Sequence, residues 1–167
     1  MRISFLRILP SLLIPTLLLA ASGRALTQVT PLPAFSTQDI KADVPPEMRG
    51  TGVRRVRAVE INLDLFTGPV PRTTRMNFFP NVTLDVVWTS TEEVQRPSGI
   101  VWSGTVIGFP LSQATLVVSS RNVTGNISRG DGWIYQIRTA SDGRWWVREI
   151  DQKELPREAA PVVPERK

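Results

Sequence analysis

The chain has 167 residues, of which 41% are apolar and 21% charged, as is typical of a single globular domain and not of a disordered segment. It contains no histidine and no cysteine, which excludes imidazole bases, thiolate nucleophiles, disulfides and the usual zinc ligands. The net charge of +5 falls to +2 without three arginines of the predicted leader, Arg2, Arg7 and Arg24. A nearly neutral domain has no strong field to attract phosphates, so we expect no nucleic-acid partner.

Residues 1–25 have the organisation of a secretory signal peptide. A short basic start precedes an uncharged apolar run at 8–21, and small residues follow that run. The run is too short to span a bilayer core of about 30 Å at about 1.5 Å per residue, and Pro10 and Pro15 disfavour a permanent membrane helix. We predict a cleaved leader, a secreted or periplasmic protein, and no stable membrane anchor after cleavage.

Two proline-rich segments flank the predicted domain. Residues 26–52 contain four prolines and show neither strand nor helix periodicity, so we expect an exposed lead-in. Residues 156–167 contain three prolines and mixed charges, which is typical of a tail or a linker. The folded β domain is therefore predicted at residues 53–155.

The first strands are predicted from alternating apolar residues. Val59, Ile61 and Leu63 alternate with polar residues, which predicts a half-buried strand over residues 57–65. Residues 76–91 alternate in the same way and predict a second strand, with an edge or a kink at Pro80.

The stretch 98–151 contains short apolar runs separated by glycine turns. Gly130-Asp131-Gly132 and Asp142-Gly143 are strong hairpin signals, and the runs between them are rich in β-branched and aromatic residues. Consecutive hairpins predict a C-terminal meander. The fold class is predicted as all-β, either an antiparallel β-sandwich or a strongly twisted sheet of about seven or eight strands.

Five tryptophans are the most conspicuous candidates for a binding surface. Most of them share a strand face with aliphatic residues, which indicates core packing. Trp145 and Trp146 are adjacent, so a strand sends their rings to opposite faces, and one of the two rings is a candidate contact surface.

Several segments of the chain resemble, in order, the propeptide-like N-terminal region of bacterial secreted zinc metalloproteases of the reprolysin-like or peptidyl-Asp type. The segment SGIVWSGTVIGFPLSQATLVV matches an SGxxWxGxVxGxPLSxxTLVV pattern, IYQIR matches YxIR, and EIDQKELP matches E-I-D-x-x-x-x-P. The similarity covers residues 56–156, about 60% of the chain.

In that family a catalytic domain with an H-E-x-x-H-x-x-G-x-x-H helix follows, and the helix holds the zinc ion. This chain has no histidine, so no family ligand or base can be assigned to any position. We predict a protein that is not an enzyme, with no catalytic, cofactor-binding or metal-binding residue and no cofactor.

The resemblance implies a secreted, non-catalytic prodomain-like module. It would be a folding assistant, an inhibitor or a relic of a secreted zinc metalloprotease, whose catalytic domain would be the partner. Asp151 and Glu154 are candidate contact residues because they lie just before the position at which the catalytic domain begins in the family.

Two alternatives remain open. The first is a truncated metalloprotease precursor that lacks its catalytic domain, which a reading frame with H-E-x-x-H immediately downstream would support. The second is a free-standing β-sandwich that binds a carbohydrate or a cell-surface ligand through an exposed aromatic face.

Overall fold

A computed structural model describes residues 31–38, 40–70, 72–95, 98–120 and 122–156. The predicted signal peptide and residues 157–167 of the predicted tail lie outside these ranges. The described residues form eight strands and three single-turn 3-10 helices. The strands are β1 (Val53–Val59), β2 (Arg72–Phe79), β3 (Val82–Gln95), β4 (Ser98–Val106), β5 (Gln113–Val118), β6 (Val123–Ser128), β7 (Trp133–Thr139) and β8 (Trp145–Asp151), and the 3-10 helices are Pro46–Met48, Leu63–Phe66 and Gln152–Glu154.

All eight strands belong to one antiparallel sheet that curls into a half-barrel. The strand order is β1-β8-β7-β6-β5-β4-β3-β2, so β2 to β8 form an uninterrupted meander and β1 pairs with β8. The predicted all-β class and C-terminal meander are confirmed. Of the two predicted architectures, the twisted single sheet is observed, because every strand in the described ranges pairs with its neighbour in one continuous order.

The core fills the concave face of the half-barrel. The rings of Phe78 on β2 and Tyr135 on β7 stack with centroids 4.8 Å apart, although four strands separate β2 from β7 in the sheet. The curl therefore brings distant strands into contact across the interior. Trp88 and Trp102 are 0% and 1% exposed in this core, as their alternation with polar residues predicts.

Gly104 on β4 permits a close approach of the β3 backbone. A Cβ at this position would lie 2.2 Å from the backbone oxygen of Val87 on the neighbouring strand, a distance at which backbone must move. The turn at Gly143, where φ is +78°, requires glycine for a different reason, because side chains disfavour that backbone conformation.

The first half of the domain differs from the prediction. β1 ends at Val59, and Leu63 and Leu65 lie in a 3-10 helix, not in a strand. The Asn62 side chain starts this helix by accepting a hydrogen bond from the Asp64 amide at 3.2 Å. Alternation over 57–65 was misleading because a 3-10 turn can also direct apolar side chains to the core: Leu63 and Leu65 pack against it, and Phe66 is buried in it.

The region predicted as one bent strand at 76–91 is a hairpin. β2 begins earlier, at Arg72, and Phe79 pairs with Val82 across a two-residue turn at Pro80 and Asn81. Pro80 thus marks a chain reversal, because a proline without an amide proton is tolerated in a turn.

The composition of the lead-in predicts an exposed segment, but part of the lead-in is buried. Ala34 and Phe35 are 0% and 2% exposed, because residues 33–36 lie in the gap between the two edge strands of the sheet. The Ala34 amide donates to the Arg75 carbonyl at 2.7 Å, and the Ser36 amide donates to the Glu60 carbonyl at 2.9 Å. Prolines suit this segment because only some of its backbone groups pair.

A second part of the lead-in covers the convex face near β8. Met48 is 2% exposed and packs with Ala58, Ala140 and Trp146 in a small apolar cluster of its own. The apolar residues of the lead-in therefore complete the domain on both faces of the sheet, and burial replaces the expected exposure.

Candidate functional site

The predicted contact residues Trp145 and Trp146 point to opposite faces of β8. Trp146 is 1% exposed beneath the lead-in. Trp145 is half-buried against the concave core, and its Nε1 donates to Asn122 Oδ1 at 3.2 Å. The structure therefore presents neither ring as an open platform.

Asp151 and Glu154 lie at the other end of β8, about 20 Å from the tryptophans at about 3.3 Å per residue. Both carboxylates pair with Arg54, and Asp151 is 3.3 Å from its guanidinium. Asp151 also caps the helix Gln152–Glu154 by accepting from the Lys153 amide at 3.0 Å. The structure thus brings these two predicted residues together, and separates them from the predicted pair Trp145 and Trp146.

Glu149 is a buried carboxylate whose ion pair sequence reasoning did not identify. Its side chain is 8% exposed on the concave face and accepts from Arg55 Nε at 2.6 Å and Nη2 at 2.7 Å. Tyr135 donates its hydroxyl to the same carboxylate at 3.2 Å. The Arg55 guanidinium also lies 4.3 Å from the centroid of the Phe79 ring. This bidentate geometry stabilises a carboxylate where an unpaired one would be costly.

A second guanidinium continues this network towards solvent. Arg129 lies 4.5 Å from the centroid of the Phe109 ring and donates to the Tyr135 hydroxyl at 3.4 Å. It also pairs with Asp131 in the turn between β6 and β7. The Arg55–Glu149 pair thus joins β1 to β8, and the Arg129–Asp131 pair lies within the turn between β6 and β7.

The shifted pKa values have structural causes. The pKa of Arg55 is raised, chiefly by its hydrogen bonds to Glu149, and burial raises the pKa of Tyr135. The pKa of Asp85 is lowered by hydrogen bonds from Arg75, and that of Glu47 by a hydrogen bond from Ser141. A lowered pKa keeps a carboxyl ionised and suits an ion pair better than a general acid.

Exposed apolar side chains lie in the loops at one end of the half-barrel, the end at which β4, β6 and β8 finish. We call this surface the loop end, and it consists of residues 107–112, 129–132 and 151–155. Ile107 is 57% exposed, Leu111 is 82% exposed and Leu155 is 40% exposed. They are three of the five large hydrophobic residues that are exposed in the described part of the chain. A Cβ added at Gly130 would lie 2.6 Å from the Leu111 oxygen, so two of these loops are in direct contact.

Leu111 is the residue that sequence reasoning missed, although a signal was present. The turn GFPLS places two apolar residues beside Gly108 and Pro110, where turns usually carry polar side chains. Ser112, next in the chain, has a structural role, since its hydroxyl accepts from the Val106 amide at 2.8 Å. No comparable contact buries Leu111.

Within the described residues, no three His, Cys, Asp or Glu side chains are grouped in a way that could hold a metal ion. None of the helices found there has the length and apolarity needed to cross a membrane. Comparison of the chain with protein-family models, with curated proteins and with solved structures gives no match.

Proposed function

We propose that this chain is an exported, non-catalytic binding module that docks onto a partner protein through the loop end. The observation that carries the proposal is the exposure of Leu111 and Ile107 at the tip of a loop held by its neighbours. Large apolar residues exposed together on a soluble domain mark contact surfaces more often than isolated ones do.

The composition of the loop end supports a protein partner. The charges around the apolar residues are paired internally, Arg129 with Asp131 and Arg54 with Asp151 and Glu154. An apolar centre with a polar, ion-paired rim is the usual anatomy of a protein interface. The predicted contact residues Asp151 and Glu154 would contribute to the rim of this surface and not to its centre.

The partner that we propose is the catalytic domain of a secreted zinc metalloprotease, on the strength of the resemblance over residues 56–156. With that partner the module would block the active-site face or assist folding. Steric contact is the mechanism consistent with a chain that contains no histidine or cysteine to bind the zinc ion.

The test is binding to, and inhibition of, a secreted zinc metalloprotease from the same organism. We expect co-elution of the two proteins and reduced proteolysis at equimolar concentrations. Leu111→Asp should abolish both effects, because it places a charge at the apolar centre. Leu32→Asp is the matched control, since Leu32 is 65% exposed but lies outside the loop end.

Equal loss of binding in both variants would disprove a role for the loop end. Absence of binding to any secreted zinc metalloprotease of that organism would disprove the proposed partner. The oligomeric state of the chain should be measured in the same elution experiment.

A further inference from the structure

The convex face of the half-barrel carries a row of hydrogen-bonding side chains that the proposed function does not use. Cross-strand pairing makes Thr115, Asn126, Gln136 and Arg148 successive neighbours on β5, β6, β7 and β8. Neighbouring strands lie about 4.8 Å apart, so the row is about 14 Å long. It crosses the strands in a direction that a short extended ligand could follow.

A shallow groove of about 270 Å³ covers the part of this row on β5, β6 and β7, and Arg148 lies just outside it, next to Gln136. Of its six lining residues, all but Ile134 carry an amide or hydroxyl side chain: Gln113, Thr115, Asn126, Ser128 and Gln136. The side chains of Gln113, Thr115 and Asn126 make no hydrogen bond within the described part of the chain. Amides and hydroxyls offer donors and acceptors together, as the hydroxyl groups of a sugar require.

The charged end of the row is electrostatically unfavourable as it stands. Arg148 is half-buried, its Nη2 donates to Gln136 Oε1, and its buried Nε has no partner in the described residues. No carboxylate of the described residues pairs with Arg148 or with Arg138, the arginine nearby on β7. Burial, and then repulsion from Arg138, lowers the pKa of Arg148.

A guanidinium with an unpaired buried Nε, beside a second positive charge, is a favourable position for an anionic group. An anionic group between the two arginines would supply the missing acceptor and offset the repulsion. The position of this charge at one end of an uncharged polar row restricts the ligand further, because the ligand must be anionic at one point and hydroxyl-rich beside it.

We propose that the groove binds a segment of an acidic polysaccharide, with a uronate or sulfate group at Arg138 and Arg148 and sugar hydroxyls along Thr115, Asn126 and Gln136. This differs from an aromatic binding face, since Trp88, Trp102 and Trp146 are buried and no ring of the described residues lines the groove. It also differs from nucleic-acid binding, which would need a stronger basic field and exposed rings for stacking.

The test uses the purified chain with polygalacturonate, dextran sulfate and uncharged dextran in affinity electrophoresis and calorimetry. We expect binding to an anionic polymer and none to dextran. Arg148→Gln and Arg138→Gln should each weaken binding about tenfold, equivalent to about 1.4 kcal/mol. Asn126→Ala should weaken it by a smaller factor.

Arg144→Gln is the matched control because it removes the same charge from an exposed turn, where Arg144 faces Asp142. We expect affinity within about twofold of the parent chain, since removing a surface charge outside the groove changes only long-range attraction. An equal loss in Arg144→Gln and Arg148→Gln would show diffuse charge attraction and overturn the proposal. Binding to none of the polymers, or equal competition by polyglutamate, would also overturn it.

Thermal unfolding separates binding from folding. Arg148→Gln should leave the Tm of the free protein unchanged or raise it, because it removes a half-buried charge without a counter-ion. Arg138 is exposed, so its variant keeps the test valid if Arg148→Gln fails to fold. Leu111→Ala, which changes no charge, should bind the polymer like the parent chain, and this result would make polymer binding independent of the loop end.

Discussion

The two halves of the concave face contain different kinds of side chain: one has a cluster of aromatic rings, and the other has an ion pair. In one half, Phe66 lies edge-on to Trp88 and Trp102, with ring centroids 6.3 and 6.2 Å away. In the other half, Glu149 and Arg55 form a bidentate ion pair beneath the loop end. We call these regions the aromatic half and the charged half.

The difference shows where the apolar residues of the chain are used. In the aromatic half, the segment that connects β1 to β2 supplies Phe66, which is 2% exposed. In the charged half, the connecting loops leave Ile107 and Leu111 exposed at 57% and 82%. One half is thus closed by the chain itself, whereas the other keeps an apolar surface outside a polar interior. This contrast is what directs the functional proposal to the loop end.

The largest expected effect comes from opening the aromatic half with Phe66→Ala. Loss of a large buried ring typically costs about 3–5 kcal/mol in stability, because the cavity collapses only partly. Urea unfolding should show this loss, while Phe66→Leu should cost less than about 1.5 kcal/mol. A loss below about 1 kcal/mol for Phe66→Ala would mean that this helix does not close the core.

A smaller but clear effect is expected in the charged half from Glu149→Gln. It leaves Arg55 partly buried without its counter-ion, and we expect a loss of about 2–3 kcal/mol, below the usual cost for fully buried pairs. Arg55 is 36% exposed, so water can compensate for some of the loss.

The double variant Arg55→Leu/Glu149→Leu is the sharper measurement in this half. It removes both charges, so its stability should lie above that of Glu149→Gln in the same urea titration. A double variant less stable than Glu149→Gln would contradict the view that the unpaired charge, and not lost packing, dominates.

A weaker effect is expected for Asp85→Asn, outside both halves. Hydrogen bonds from Arg75 at 2.8 Å lower the pKa of Asp85. The folded state therefore gains stability above the unfolded pKa and loses it as pH falls through the lowered folded value. Asp85→Asn should be slightly less stable at pH 7, and the difference should disappear as pH falls below the lowered folded pKa of Asp85. Thermal unfolding across this range is the measurement, and a difference that persists at low pH would contradict the ion-pair explanation.

The smallest effect on stability is expected for Leu111→Ala. An exposed side chain contributes little to folding, so the change should stay within about 0.5 kcal/mol. The same substitution should weaken partner binding strongly if the loop end is the contact surface. A loss of stability with unchanged partner binding would show that Leu111 contributes to folding and not to a contact surface.

The second half of the fold was predictable because its signals are local. The hairpins at Gly130-Asp131-Gly132 and Asp142-Gly143 follow from turn chemistry within a few residues. The first half was harder to predict. Pro80 is compatible with either a kink in one strand or a turn between two strands, and only the pairing of β2 with β3 distinguishes them. The alternation at Leu63 likewise fits a strand and a 3-10 turn equally well.

The candidate site depended on contacts that sequence spacing does not reveal. Arg55 and Glu149 lie 94 residues apart in the chain, and only the pairing of β1 with β8 places them side by side. The prediction for Trp146 as a possible contact surface did not anticipate that Met48 of the lead-in covers that face.

The sequence by itself determined the all-β class, the C-terminal meander and the absence of imidazole and thiol side chains. Side-chain alternation and turn residues are local along the chain, and composition does not depend on the fold at all, so these features can be read directly from the sequence. Only the tertiary structure decided which segments bury the aromatic half, that Glu149 is buried with a counter-ion, and that Leu111 remains exposed. The reason is physical: burial and charge pairing depend on which distant residues the curl of the sheet brings together.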